Sequence, residues 1–127
     1  MTSFVLDSSA VLASLFGEPG GDDVDVAIEE SLLSAANYAE IITKLIDKGV
    51  SPQDASDATS QLRCEVATVD EERAAAAGVL HARTRGKGVS LGDRFCLALA
   101  QELGLPALTA DRRWKDLDLD VEVTLIR

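Results

Sequence analysis

The sequence is poor in the residues that build disulfide scaffolds, zinc centres and histidine-based active sites. Its 127 residues include two cysteines, Cys64 and Cys96, and one histidine, His81. Two cysteines are too few for a disulfide-rich scaffold or a four-cysteine zinc site. A single histidine excludes an active site that uses a histidine pair as acid and base, and any metal site with several histidines.

Long hydrophobic runs are also missing. No stretch of eighteen apolar residues is present, so we expect no membrane-spanning helix. The N-terminus has no basic region and reaches Asp7 after three apolar residues. We therefore expect no signal peptide and a cytoplasmic protein. With 46% hydrophobic and 27% charged residues, the composition is that of a globular protein, and the length predicts a single domain over residues 1–127.

Carboxylates, by contrast, are abundant. Asp and Glu number 22 against 12 Lys and Arg, which gives a net charge of −10. Such a balance argues against binding a polyanion. However, the stretch from Arg83 to Lys115 holds seven basic and three acidic residues, so it carries +4 and the rest of the chain −14. This stretch is either a solvated surface of mixed charge, which composition alone favours, or a polyanion-binding surface helped by metal cations.

Short apolar strands alternate with helices along the whole chain. Strands are predicted at residues 3–6, 31–34, 65–69, 106–109 and 121–126, helices at 8–16, 22–30, 35–48, 51–62, 70–83 and 91–103, and a helical turn at 112–117. This order predicts an α/β fold with a parallel sheet covered by helices on both faces. In such folds the functional residues lie at the carboxyl ends of the strands.

Four carboxylates fall near the ends of predicted strands or in the first half of helices. Asp7 follows the first strand and Asp111 the fourth, while Glu40 and Asp93 lie early in the helices at 35–48 and 91–103. Each also has a purely structural explanation. Asp7 and Asp111 suit helix N-caps, Asp93 suits the positive end of a helix, and Glu40 could pair with Lys44 one turn later.

Taken together, the four carboxylates favour a cation site. Asp93 is close to Phe95 and Cys96 on a helix with little polar surface, so we expect it to be half-buried. An unpaired buried carboxylate is costly, and a divalent cation would remove that cost. Oxygen ligands without histidine or cysteine select Mg²⁺ or Mn²⁺, which activate water toward phosphodiesters.

The four carboxylates lie in four short motif segments. These are residues 5–10 (VLDSSA), 37–41 (NYAEI), 90–100 (SLGDRFCLALA) and 108–114 (LTADRRW). The most specific elements are the pair S-L-x-D-x-x-x-x-A-L-A and T-A-D-x-x-W. In these segments, and in their order and spacing over essentially the whole chain, the sequence resembles PIN-domain ribonucleases, specifically VapC-like toxins of type II toxin–antitoxin pairs.

The resemblance implies a three-layer fold whose five-stranded parallel sheet has the order 3-2-1-4-5. It also implies cleavage of RNA by a metal-activated water, a homodimer, and inhibition by a cognate antitoxin. The catalytic and Mg²⁺- or Mn²⁺-binding residues would be Asp7, Glu40, Asp93 and Asp111, with Thr109 in support and Asp116 as a possible accessory acid. The basic stretch adds candidate RNA-binding residues at Arg83, Arg85, Lys87, Arg112 and Arg113.

Two other functions stay open at this point. A phosphoacceptor receiver domain would have a similar length, charge and strand pattern, but it needs an acidic pair after the first strand and a lysine after the fifth. Here Ser8 follows Asp7, and no lysine follows the last strand. A PIN-like domain that binds RNA or a protein partner without catalysis would share every motif named above.

Overall fold

The computed structural model describes residues 2–127 and has the predicted α/β architecture. Five short parallel strands form one sheet in the order β3-β2-β1-β4-β5, as the resemblance implied. The strands are β1 (Phe4–Leu6), β2 (Ser31–Ser34), β3 (Glu65–Ala67), β4 (Ala107–Thr109) and β5 (Val123–Leu125).

Helices cover both faces of this sheet. They are α1 (Ser8–Phe16), α2 (Gly21–Ala27), α3 (Ala35–Asp47), α4 (Pro52–Ser60), α5 (Glu71–Val79), α6 (His81–Thr84) and α7 (Leu91–Leu103), with short 3₁₀ segments at Ile28–Glu30 and Arg112–Asp116. Within residues 2–127, none of these helices combines the length and apolar character needed to cross a membrane.

Helix α7 shows how local sequence sets an element's bounds. Ser90 caps its N-terminus by accepting a hydrogen bond from the Asp93 backbone N–H, and Gly104 ends it in the left-handed conformation. Five consecutive residues from Cys96 to Ala100 are buried, so α7 is a central helix, as its apolar composition predicted. The predicted bounds of α7 and α1 are both confirmed.

The helix predicted over residues 70–83 is instead two helices, α5 and α6, which meet at Leu80. The guanidinium of Arg94 on α7 donates to the carbonyl oxygens of Ala77 (3.5 Å) and Gly78 (3.3 Å). An uninterrupted helix would use these two carbonyls as acceptors for residues 81 and 82. The break between α5 and α6 therefore coincides with a tertiary contact from Arg94, which the alanine-rich sequence of this segment does not predict. Similarly, the helix predicted over 22–30 ends as α2 at Ala27 and continues as a 3₁₀ turn.

The central strand divides the core into two layers. Successive side chains of a strand point to opposite faces, so Leu6 packs with α1 and α3 while Val5 packs with α7 and Trp114. The register aligns Leu6 with Leu108 across β1 and β4. The residues that follow, Asp7 and Thr109, are therefore brought side by side at the carboxyl edge of the sheet.

Candidate metal centre

Asp7 is the most deeply buried carboxylate of the candidate site, with 2% of its surface exposed. Two hydroxyls donate to the same oxygen, Oδ2: Ser9 Oγ at 2.6 Å and Thr109 Oγ1 at 2.8 Å. The other oxygen, Oδ1, is buried and has no hydrogen-bond partner in residues 2–127. Asp7 also occupies the N-cap position of α1, yet its side chain makes no capping hydrogen bond. Its structural explanation as a helix cap is therefore not realised.

Burial makes the charged form of Asp7 unfavourable. The pKa of Asp7 is raised to about 6, and desolvation by burial is the largest cause of this rise. The neighbouring charges of Asp93 and Glu40 raise it further, while the hydrogen bonds from Ser9 and Thr109 oppose these effects. The fold thus holds a carboxylate at the end of its central strand, and no cation among residues 2–127 forms an ion pair with it.

Glu40 lies on α3 and faces Ser8 on α1 rather than Lys44. Ser8 Oγ donates a hydrogen bond to Glu40 Oε1, and the buried Asn37 side-chain amide lies 3.4 Å from the same oxygen. Within residues 2–127 there is no ion pair between Glu40 and Lys44, so that structural alternative is wrong.

Asp93 is tied to the first turn of α7. Its Oδ2 accepts a hydrogen bond from the Ser90 backbone N–H (2.9 Å), which completes a reciprocal capping box with the Ser90 hydroxyl. The side chain is half-buried, as predicted. Desolvation raises the pKa of Asp93, the hydrogen bonds from Ser90 oppose that rise, and the charges of Glu40 and Asp111 add to it.

Asp111 differs from the other three because it has a cation of its own. Arg113 donates to both of its oxygens, with Nε–Oδ1 at 3.0 Å and Nη2–Oδ2 at 2.8 Å. This bidentate hydrogen bonding lowers the pKa of Asp111. Asp111 also caps the 3₁₀ turn through the Arg113 backbone N–H, so its predicted capping role is confirmed.

The structure places the remaining predicted residues at varying distances from these carboxylates. Thr109 contacts Asp7 directly. Asp116 is exposed, and no hydrogen bond or ion pair ties it to the four carboxylates within the part of the chain described. Arg83 pairs with exposed Asp118 at 3.5 Å. The other predicted RNA-binding residues are all exposed: Arg85, Lys87, Arg112 and Arg113.

Four further residues shape the site, and sequence reasoning assigned none of them a role. Ser9 bonds to Asp7, Ser8 and Asn37 bond to Glu40, and Gly92 lies against the Glu40 carboxylate. All four lie inside the segments that carry the family resemblance, beside the acidic residues. Their position next to the acidic residues was a signal that they belong to the site. It does not show which carboxylate each of them contacts.

The chemistry of the donors fits a hard divalent cation. All four candidate ligands are carboxylates, and Asp7 Oδ1 is a buried acceptor without a donor. Across residues 2–127, no three aspartate, glutamate, histidine or cysteine side chains come close enough to hold one ion together. Mg²⁺ is commonly held by one or two carboxylates plus waters and substrate phosphates rather than by a cage of protein ligands.

The fold and these residues define a class: a three-layer α/β domain with a carboxylate-lined site at the carboxyl edge of a parallel sheet. Within that class, the chain belongs to the PIN domain family, whose model matches residues 4–119. This membership excludes the receiver-domain alternative.

Solved structures share the fold. A chain of DNA-bound VapBC from Salmonella typhimurium is 18% identical and has a TM-score of 0.76, with 100% of both chains covered. VapBC-5 from Mycobacterium tuberculosis matches at 21% identity and a TM-score of 0.65, covering 100% of this chain and 99% of the other. VapBC-1 from nontypeable Haemophilus influenzae matches at 17% identity and 0.69, with 98% of each chain covered. No curated protein matches significantly by sequence.

Proposed function

We propose that this protein is a Mg²⁺- or Mn²⁺-dependent endoribonuclease and the toxin of a type II toxin–antitoxin pair. The observation that carries the proposal is Asp7, a buried carboxylate with one oxygen held by two hydroxyls and the other without a partner. Membership of the PIN domain family supports a nuclease. Likeness to chains from VapBC toxin–antitoxin structures supports the toxin role and an antitoxin partner.

In this proposal Asp7 and Asp93 are the main metal ligands, and Glu40 and Asp111 complete the site. The bound cation would act as a Lewis acid on the phosphodiester and lower the pKa of a water. The chain's own contribution is orientation. Ser9 and Thr109 fix Asp7 through Oδ2, Ser8 fixes Glu40 through Oε1, and the capping box fixes Asp93. Ligands held this way need little reorganisation when the reaction begins.

The basic residues after β4 and in the loop before α7 supply the proposed contacts to RNA. Arg113 lies beside Asp111, and Arg85, Lys87 and Arg112 are exposed. Contacts of this kind bind phosphates and position the backbone without reading its sequence. A homodimer is part of the proposal through the family resemblance.

A binding module without catalysis is the second candidate. It is favoured by the Asp111–Arg113 pair, which neutralises one of the four carboxylates, and by the lack of a ready three-ligand cluster in residues 2–127. In that case the site would bind RNA or a protein partner with the same basic residues.

Cleavage of RNA followed by mapping of the new ends separates these functions. The wild type, Asp93→Asn and the control Asp47→Asn, an exposed aspartate at the end of α3, are compared with Mg²⁺, Mn²⁺ and EDTA. We expect metal-dependent cutting with 5′-phosphate ends and tolerance of a 2′-deoxy substitution at the cut linkage. We expect Asp93→Asn to lower the rate about 100-fold or more while changing RNA affinity much less, because its action lies in the transition state.

Two results would contradict the proposal. Cyclic phosphate ends, or cutting that persists in EDTA, would exclude attack by a metal-activated water. RNA binding without cutting across several structured RNAs in either metal would establish the binding module instead.

A further inference from the structure

Gly92, in the first turn of α7, faces the carboxylate of Glu40. A Cβ atom at this position would lie 2.7 Å from Glu40 Cδ and 2.8 Å from Oε1, below the 3.0 Å that real Cβ contacts essentially never cross. The space a side chain would fill at residue 92 is therefore the space that the Glu40 carboxylate occupies. Because the atoms in the way belong to the end of the Glu40 side chain and not to backbone, a larger residue at 92 would displace the carboxylate.

The same polar group that holds Glu40 also holds the backbone of Gly92. The side-chain amide of Asn37 lies 3.4 Å from Glu40 Oε1 and donates to the Gly92 carbonyl oxygen at 3.0 Å and to Ser8 Oγ at 3.2 Å. Asn37 is fully buried. Helices α1, α3 and α7 thus meet at one amide, and the carboxylate of Glu40 rests against the turn that carries Asp93.

The backbone conformation does not require glycine at this position. The glycines with positive φ are at 17, 20, 49, 86, 88 and 104, and Gly92 is not among them. It has helical geometry, in which glycine is less favourable than alanine. The constraint that the structure shows at residue 92 is therefore the proximity of the Glu40 carboxylate.

We infer that Gly92 is a positioning residue: its missing side chain lets Glu40 stand beside Asp93 as part of the metal site. The inference rests on the proposed function, because it assigns Glu40 to that site. It concerns a residue that touches no reacting group and acts only through the placement of Glu40.

The test compares Gly92→Ala with Gly78→Ala, the same substitution in helix α5 where nothing lies within 4 Å of the added carbon. Mn²⁺ affinity is measured by calorimetry, and the apo melting temperature by differential scanning fluorimetry. We expect Gly92→Ala to bind Mn²⁺ about tenfold more weakly, as loss of a ligand's supporting contacts typically causes. We expect Gly78→Ala to bind Mn²⁺ as the wild type does, with neither apo protein less stable.

A double-mutant cycle shows whether the effect passes through Glu40. Glu40→Gln should itself weaken Mn²⁺ binding, and adding Gly92→Ala to it should have no further effect. Asn37 is the only asparagine in the chain, so its side-chain amide resonances give a metal-free report on the contact with Glu40. Gly92→Ala should shift these resonances, and Gly78→Ala should not.

The outcomes separate the inference from the proposed function. Unchanged Asn37 resonances and unchanged Mn²⁺ affinity in Gly92→Ala would overturn the inference. Additive losses of affinity in the cycle would overturn it as well, because Gly92 would then act independently of Glu40. Shifted resonances with unchanged Mn²⁺ affinity in Glu40→Gln would show that Gly92 places Glu40 but that Glu40 is not part of a metal site.

Discussion

The four carboxylates form two pairs that the chain treats differently. In the inner pair, Asp7 and Glu40 are held by neutral donors, which are hydroxyls and an amide. In the outer pair, Asp93 accepts from the backbone at the start of α7, and Asp111 binds the guanidinium of Arg113. Within residues 2–127, the outer pair is therefore held by the backbone N–H that begins α7 and by a guanidinium, whereas the inner pair is held by side-chain hydroxyls and a side-chain amide.

This difference indicates where an external cation would gain most. A neutral hydroxyl orients a carboxylate but leaves its charge in place, whereas a helix N-terminus or an arginine partly neutralises it. Asp7 combines deep burial with a charge that no ion pair within residues 2–127 offsets, as its raised pKa reflects. A bound divalent cation would remove that cost at Asp7, whereas at Asp111 it would have to compete with Arg113. This difference between the two pairs can be tested by substitutions in each pair.

The largest expected effect is the pH dependence of apo stability through Asp7. Its pKa is about 6 in the folded protein against 3.8 as the ordinary value, so the folded state binds more protons between these pH values. The free energy of unfolding should then fall as pH rises through this window, by up to about 3 kcal/mol. Asp7→Asn should remove this slope and leave the apo protein at least as stable as the wild type at pH 7.

Urea denaturation from pH 4 to pH 7, run on both proteins, measures this difference, and subtracting the two curves cancels the acidic residues that do not interact with Asp7. Added Mn²⁺ should raise the melting temperature of the wild type at pH 7 and not that of Asp7→Asn. If Asp7→Asn unfolds at pH 7, or keeps the wild-type slope, the Asp7 carboxylate is structural and the contrast between the pairs is lost.

The sequence predicts the frame of this site because its signals are local. Short apolar runs between helices indicate the parallel sheet, and Ser90 and Gly104 set the bounds of α7. The half-burial of Asp93 follows from the apolar neighbours on its own helix. These features depend on residues a few positions apart, which is the range over which periodicity and capping act.

The contacts that distinguish the two pairs lie beyond that range. Ser8 and Ser9 are identical neighbours, but one helical residue is a rotation of about 100°, so Ser8 meets Glu40 while Ser9 meets Asp7. Glu40 could equally face Lys44 by spacing alone. Which partner each side chain contacts depends on how α1, α3 and α7 pack on the sheet. No single motif in the sequence specifies that packing.

A smaller effect is expected from Ser9, which supports the inner pair. Its hydroxyl donates to Asp7 Oδ2 and accepts from the Ala110 backbone N–H at 3.0 Å. Ser9→Ala should raise the pKa of Asp7 further and lower apo stability at pH 7 by about 1–2 kcal/mol, because it removes a hydrogen bond to a charged group. Exposed Ser56 on α4 offers the matched control, Ser56→Ala.

The measurement is again urea denaturation, at pH 7 and at pH 4, where Asp7 is largely protonated in the folded protein. The loss should be larger at pH 7, since the hydroxyl stabilises the charged form. An equal loss at both pH values would mean that Ser9 contributes through the Ala110 turn alone and not through Asp7.

The smallest expected effect concerns Arg113 in the outer pair. Its side chain is 66% exposed, so the pair with Asp111 contributes little to stability, and Arg113→Gln should change the melting temperature only slightly. Mn²⁺ affinity should nevertheless rise, by up to about fivefold, because the guanidinium no longer competes for Asp111. RNA affinity should fall at the same time, since a phosphate-binding cation is lost.

The neighbouring substitution Arg112→Gln removes the same charge but no contact with Asp111. Comparing the two variants therefore separates the loss of the Asp111–Arg113 pair from the general loss of positive charge. Calorimetry with Mn²⁺ on both variants, alone and combined with Asp111→Asn, measures the difference. One outcome is that Arg113→Gln binds Mn²⁺ more tightly than Arg112→Gln, with Asp111→Asn abolishing the gain. That result would show that Arg113 neutralises Asp111 in the wild type and thereby weakens its binding of a cation. Equal Mn²⁺ affinities in the two arginine variants would contradict the distinction between the inner and outer pairs. Asp111 would then be as available to a cation as Asp7, with or without Arg113.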